Sequence, residues 1–254
     1  MQLWILFILG AVLGSFINVC IFRLPDKRSV VWPPSHCPKC RHAIPIWDNI
    51  PVISYLLLLG KCRHCRQRIS IIYPLVELLS AVLLVAAWHH FGQGISFLHY
   101  SVLLLLLLPI TFIDMHTKLI LNVLTIPGIV VALLFACFSN DISIYQALLG
   151  TVLGGGFLFI IGTFGRVLFK KESMGGGDVK LGAMIGAFIG PEVIIVLFFS
   201  FFLAFPIILI GLGSKRLSMT SSLPFGPFIA LSTAIIVLFG DTLYQQYFQM
   251  MGIS

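Results

Sequence analysis

The chain has 254 residues, 59% of them hydrophobic and 10% charged, with a mean hydropathy of +1.05. Soluble domains carry about 25% charged residues, so the composition excludes a soluble globular protein and points to a polytopic membrane protein. The net charge of +7 reads as a topology signal. Nucleic-acid binding is set aside, because no aromatic groove pattern accompanies the basic residues.

A membrane span needs about 20 apolar residues. The apolar runs predict eight spans, at 3–22, 70–88, 96–113, 119–138, 144–168, 178–190, 192–213 and 225–247. The first run lacks a basic leading stretch and a small-residue cleavage site, so it reads as a retained span. The long run from 178 to 213 is divided at Gly190-Pro191-Glu192, a turn signal. With eight spans, all 16 Lys and Arg residues fall in or beside the loops 23–69, 114–118, 169–177 and 214–224. The opposite side holds Asp141, Glu192 and Asp241. The positive-inside rule then puts both termini outside and loop 23–69 in the cytosol. It puts Asp114 and Asp178 on that same cytosolic side. The expected fold is all-α, an eight-span helical bundle with a cytosolic zinc-binding loop.

That loop contains Cys37-Pro-Lys-Cys40 and Cys62-Arg-His-Cys65, separated by 21 residues. Two C-x-x-C knuckles at this separation match the pattern of a zinc site. Each supplies two thiolates, and the surrounding Lys39, Arg41, Lys61, Arg63 and Arg66 offset their charge. A disulfide is disfavoured in a reducing compartment. Four cysteines close the coordination shell, so the metal is structural, with no open position for a substrate. Between the knuckles, Ile44 to Gly60 is interrupted by Pro45 and Pro51 and is too short to span. It reads as an interfacial or re-entrant segment, with Trp47 suited to the membrane boundary.

Ionisable residues within spans are costly and usually functional. In the second span, Glu77 either bonds a neighbouring hydroxyl such as that of Tyr73 or serves a methyl-transfer or peptide-amine site, where a carboxylate could hold a free amine. In the first, Asn18 is either interhelical glue or part of a cofactor site. Asp114 ends the third span, and Asp178 opens the sixth. Alone, Asp114 reads as a span end in water beside Lys118, and Asp178 as a helix N-terminal carboxylate. Together they suggest a catalytic pair. Gly175, Gly176 and Gly177 leave the backbone before Asp178 bare enough for an extended peptide to approach. Pro224-Phe225-Gly226-Pro227 adds a rigid turn on the same side. No G-x-S-x-G or H-E-x-x-H setting offers another nucleophile or metal base. Two carboxylates, one base and one acid, are the minimum needed to hydrolyse a peptide bond. Gly182, Gly186 and Gly190, with Gly150 and Gly154, form small-residue stripes suited to close helix packing. His89, His90 and His99 fall on the outer side, where no role is required of them.

The Gly175 to Asp178 motif, Asp114, the Pro224 to Pro227 turn, Gly10 to Pro25, the cysteine knuckles and Tyr73 to Ala81 together resemble the bacterial prepilin peptidases (type IV leader peptidases). The resemblance runs the length of the chain. It implies an intramembrane aspartic endopeptidase of the bacterial inner membrane with Asp114 and Asp178 catalytic. Gly175, Gly176, Gly177, Pro224, Gly226 and Glu77 would contact substrate, and Cys37, Cys40, Cys62 and Cys65 would bind zinc. It implies prepilin or pseudopilin substrates cut after a glycine at the cytosolic membrane face. It also implies N-methylation of the new N-terminus with S-adenosylmethionine, although no Rossmann-type glycine motif is present. Residues 1–95 are expected to hold the methyltransferase part and the zinc loop, and 96–254 a six-span peptidase part. Two rivals stay open. A proton- or cation-coupled transporter would use the same carboxylates and broken glycine-rich helices. A zinc-bearing membrane adaptor would use only the loop. The sequence sets neither the oligomeric state nor the residues that hold the methyl donor.

Overall fold

A computed structural model describes residues 2–139, 141–169, 174–214 and 223–250. Lys170, Lys171, Lys215 and Arg216, which entered the charge argument, lie outside the described residues. The chain divides into two compact units, Met1–His89 and His90–Ser254. Among the described residues there are no β-strands, only isolated bridges in the cysteine loop.

The helices are α1 (Gln2–Arg23), α2 (Ile53–Leu57), α3 (Ile72–Phe91), α4 (Ile95–Thr117), α5 (Asn122–Phe138), α6 (Ile144–Phe169), α7 (Gly176–Ile189), α8 (Val193–Gly213) and α9 (Gly226–Met250). Apart from the short α2, these eight helices stand where the eight spans are predicted. α1, α3, α4, α6 and the continuous stretch Gly176–Gly211 are long and apolar enough to cross a membrane, and α5 and the start of α9 are shorter apolar helices. Large apolar side chains such as Val152, Ile160 and Phe202 are exposed on their outer faces, as lipid-facing surfaces require. The break at residues 190–192 is real. Gly190 has φ +70°, in the left-handed region that favours glycine, and a single 3-10 turn (Gly190–Glu192) starts α8 with Pro191 in its first turn.

In the first unit, α1 meets α3 at backbone distance. A methyl group on Gly10 would stand 2.6 Å from the Ala81 Cα, and one on Gly14 2.6 Å from the Glu77 Cα. In the second unit, α7 is the buried centre. Leu181, Met184, Ile185 and Phe188 are fully enclosed among Leu103, Ile110, Leu158, Val196 and Ile229. The glycine stripes lie between α6 and α7. A methyl on Gly150 would fall on the Gly186 carbonyl, and one on Gly154 on the Gly182 carbonyl. Without side chains there, the two backbones pack directly against each other. His99 Nε2 donates to the Phe188 carbonyl at 2.7 Å, tying the start of α4 to the end of α7. Ser232 Oγ donates to the Val196 carbonyl at 2.6 Å, tying α9 to α8. His99 is fully buried, so the expectation that it has no role gives way to a structural one.

Candidate functional site

Three helix ends converge in the second unit. Asp114 lies in the last turn of α4, which closes at Lys118 in the left-handed conformation, its N–H donating to the Asp114 carbonyl at 2.8 Å. α9 begins at Gly226, with Pro224 in the irregular segment before it and Pro227 in its first turn. The first N–H groups of a helix have no partner within it. That of Gly226 donates to Asp114 Oδ2 at 3.0 Å, across 112 residues of sequence. A methyl group on Gly226 would stand 2.7 Å from the same oxygen, so the glycine lets the carboxylate approach the helix end.

Asp178 occupies the third position of α7, with Gly175 as N-cap. Its N–H donates to the Gly175 carbonyl at 3.1 Å, and its carboxylate accepts the Gly175 N–H in return. The carboxylate-to-N-cap bond is the half of a capping box that a glycine N-cap allows. Both carboxylates therefore face helix N-termini, that of Asp114 the start of α9 and that of Asp178 the start of its own α7, where the free N–H groups and the macrodipole favour negative charge. The Asp114 carboxylate is within electrostatic reach of Asp178. Asp114 is buried at 4% exposure, and Asp178 is half-buried. The three glycines differ in their surroundings. A methyl on Gly175 would stand 3.3 Å from Asp178 Oδ2, one on Gly177 2.8 Å from the Ile120 Cβ, and one on Gly176 would meet nothing within 4 Å.

In the first unit the cysteines form a cluster that can hold a metal ion. The four Sγ atoms lie within 4.8 Å of one another, and those of Cys37 and Cys65 are 3.8 Å apart. The two knuckles repeat one turn. Cys37 N–H donates to the His42 carbonyl, and Cys62 N–H to that of Gln67. Arg41 N–H returns to Cys37, and Arg66 N–H to Cys62. Arg41 and Arg66 both have φ +57°. The Cys37 thiol is drawn down to about 7, chiefly because the Cys40 N–H points at its sulfur, while, against the His42 backbone bond, burial and the neighbouring thiols push the Cys40 thiol up to about 11.

Between the knuckles lie a 3-10 turn (Ile46–Asn49) and α2, with Ile46, Trp47, Leu57 and Leu59 exposed. Asp48 receives two bonds from Arg63, Nε to Oδ2 at 2.7 Å and Nη2 to Oδ1 at 2.6 Å, which clamp this segment to the second knuckle. The guanidinium holds the Asp48 carboxyl below the usual carboxylate range. Glu77 does not depend on the Tyr73 hydroxyl. Its Oε2 accepts the N–H of Val52 at 2.7 Å, and its other neighbour is the Ser15 hydroxyl. Val52 has φ +61°, a costly conformation for a β-branched residue. Asn18 is interhelical glue in one respect, since Nδ2 donates to the Tyr73 carbonyl at 2.9 Å. Its buried Oδ1 has no partner. Ser15, Asn18, Tyr73, Glu77, Asp48 and the knuckles line one cavity of about 590 Å³. Neither the Val52–Glu77 bond nor the Asp48–Arg63 clamp is visible in the sequence. Both join residues more than ten positions apart that share no local pattern.

The class this defines is an all-helical, multi-pass membrane protein with carboxylates gathered at three helix ends and a four-cysteine loop. Residues 8–91 match the bacterial peptidase A24 N-terminal domain, and residues 101–210 match the type IV leader peptidase family. Proteins named prepilin leader peptidase/N-methyltransferase are similar along nearly the whole chain. That of Pseudomonas putida is 34% identical, covering 96% of this chain and 93% of the relative. That of Burkholderia pseudomallei strain K96243 is 34% identical over 96% and 87%. That of Neisseria gonorrhoeae is 35% identical over 94% and 91%. The chain belongs to the type IV leader peptidase family. This membership sets aside the transporter and adaptor readings. No solved structure matches it.

Proposed function

We propose that this protein cuts the leader peptide from prepilins or pseudopilins at the cytosolic face of the bacterial inner membrane and N-methylates the new N-terminus. The reading rests on the relatives' names and, for the cleavage, on one observation: Asp114 and Asp178 lie within each other's electrostatic reach at helix ends. Two neighbouring carboxylates hold one proton between them and act as a unit. The ionised one takes a proton from water as the water oxygen bonds to the scissile carbonyl carbon. The protonated one donates to the carbonyl oxygen. A proton then passes to the leaving nitrogen as the C–N bond breaks. The positive-inside argument supports the cytosolic orientation. The test is incubation of the purified protein with a prepilin. A shortened product carrying a methylated N-terminus when S-adenosylmethionine is supplied is expected. An uncut prepilin would overturn the reading.

The glycines give a sharper expectation. Gly177→Ala should lower both the melting temperature and kcat, because the new methyl presses on Ile120 and shifts the turn carrying Asp178. Gly176→Ala has open space around it, so the melting temperature should hold. If bare backbone at that point receives the substrate, KM should rise. A Gly176→Ala enzyme with unchanged KM would remove Gly176 from the substrate site.

The cysteine cluster is best read as a structural zinc site. Zinc–sulfur bonds of about 2.3 Å in a tetrahedron place sulfurs about 3.8 Å apart, as Cys37 and Cys65 already are. Elemental analysis should find zinc equimolar with the chain and none in the Cys40→Ser, Cys65→Ser double variant. In that variant trypsin should cut the loop faster, at Lys39, Arg41 and Lys61. Full zinc in the variant would reject the ligand set.

A further inference from the structure

The cavity of the first unit is walled by the knuckles on one side and by α1 and α3 on the other. Two carboxylates line it. Asp48 is committed to Arg63 by two short bonds. Glu77 accepts only neutral donors, the Val52 N–H and the Ser15 hydroxyl. Beside it, Asn18 is 1% exposed, and its Oδ1 is an acceptor with no donor. Phe22 and Tyr73 stack in the same wall, ring centres 4.8 Å apart and 17° from parallel. Buried polar oxygens normally find donors. A carboxylate without a cation, an orphan amide oxygen and an aromatic face are together the features that bind a positively charged group. The Val52 backbone, held at φ +61° by its bond to Glu77, is strain of the kind kept at binding sites. The volume, about 590 Å³, lies within the range of roughly 300–1,000 Å³ that takes cofactor-sized ligands.

We propose that this cavity binds the methyl donor, with Glu77, Asn18 Oδ1 and the Phe22–Tyr73 pair facing its positively charged sulfonium and ammonium groups. The assignment rests on the N-methylating reading above and names the site for it. Arg23, Arg28, Arg63 and Arg68 line the same cavity; the Arg23 guanidinium is turned to the Ser29 and Pro34 carbonyls, that of Arg28 to the Phe22 carbonyl and Asp26, and that of Arg63 to Asp48. The knuckle residues Cys37, His42, Cys62 and His64 form part of its wall, so a metal held by the four cysteines would brace the cavity.

The test is isothermal titration of the full, zinc-loaded chain in detergent with S-adenosylmethionine and with S-adenosylhomocysteine, which lacks the sulfonium charge. The wild-type chain should bind both and prefer the charged donor. Glu77→Gln keeps an oxygen for the Val52 N–H but loses the charge. It should weaken the charged donor about tenfold or more and bring the two affinities together. Val19→Phe, which fills the cavity without removing a polar group, should weaken both ligands alike. Zinc content and melting temperature report whether each variant is folded. A folded Glu77→Gln chain that keeps the wild-type preference overturns the proposal, as does a folded Val19→Phe chain that binds like wild type. Prepilin cleavage by the same wild-type sample reads the underlying function separately. A sample that cleaves yet takes up neither ligand overturns this site and leaves the peptidase reading standing. A sample that binds the donor yet cleaves nothing does the reverse.

Discussion

Asp114→Asn and Asp178→Asn will each reduce prepilin cleavage by about a thousandfold or more, to the background of the assay, without unfolding the protein. General acid–base groups contribute about 10²–10⁴-fold each, and a dyad fails when either member is lost. Asparagine is the informative replacement. At 114 its amide oxygen can still accept the Gly226 N–H that Asp114 Oδ2 accepts at 3.0 Å. At 178 it can still accept the Gly175 N–H that closes the turn. The helix ends therefore stay in place, and only the ability to take and return a proton disappears. Asp114→Ala differs, because it also leaves the Gly226 N–H without its acceptor. Its melting temperature should fall below that of the Asn variant. The measurement is single-turnover cleavage with purified variants alongside thermal unfolding in detergent. A folded Asn variant at either position that retains more than a few per cent of wild-type cleavage would remove the pair from the chemistry.

How much of this was readable in the residues depends on the range of the interactions. Span positions follow from apolar length, a local property, and the break at Gly190-Pro191 follows from two residues whose backbone preferences leave few alternatives. The cysteine cluster was legible because metal ligation imposes spacing within each knuckle. The left-handed arginines that complete both knuckles were not, since Arg41 and Arg66 carry no turn signal of their own. Asp114 and Asp178 stood out as charges at the ends of apolar runs. That Gly226 anchors Asp114 depends on how α4 and α9 pack, and no local pattern encodes it. Asn18 shows the limit most clearly. The sequence left open whether it joins helices or binds a ligand, and its two polar atoms divide those roles: Nδ2 serves the helix contact, and Oδ1 is left free. His99 was misjudged because its position near a span end said water, while the packing of α4 on α7 encloses it.

Gly186→Ala should be nearly as damaging to cleavage as a change in the dyad, although residue 186 is more than two helical turns from Asp178. A methyl at 186 would fall on the Gly150 carbonyl, and no flexible side chain is there to move aside. Overpacking ordinarily costs about 1–3 kcal/mol. With rigid backbone on both faces, the upper part of that range is expected, because α6 and α7 can relieve the clash only by separating. α7 carries Asp178 in its first turn, so that separation displaces the carboxylate, and a misplacement of about 1 Å can cost about 100-fold in rate. Gly156 is the control. It lies on the same helix as Gly150, but a methyl there would meet nothing within 4 Å. Replacing a helical glycine by alanine in open space stabilises by roughly 0.5–1 kcal/mol. Gly186→Ala should therefore lower the melting temperature and kcat together, while Gly156→Ala leaves cleavage intact and melts no lower than wild type. If the two variants behave alike, direct contact between the α6 and α7 backbones is not what holds Asp178 in position.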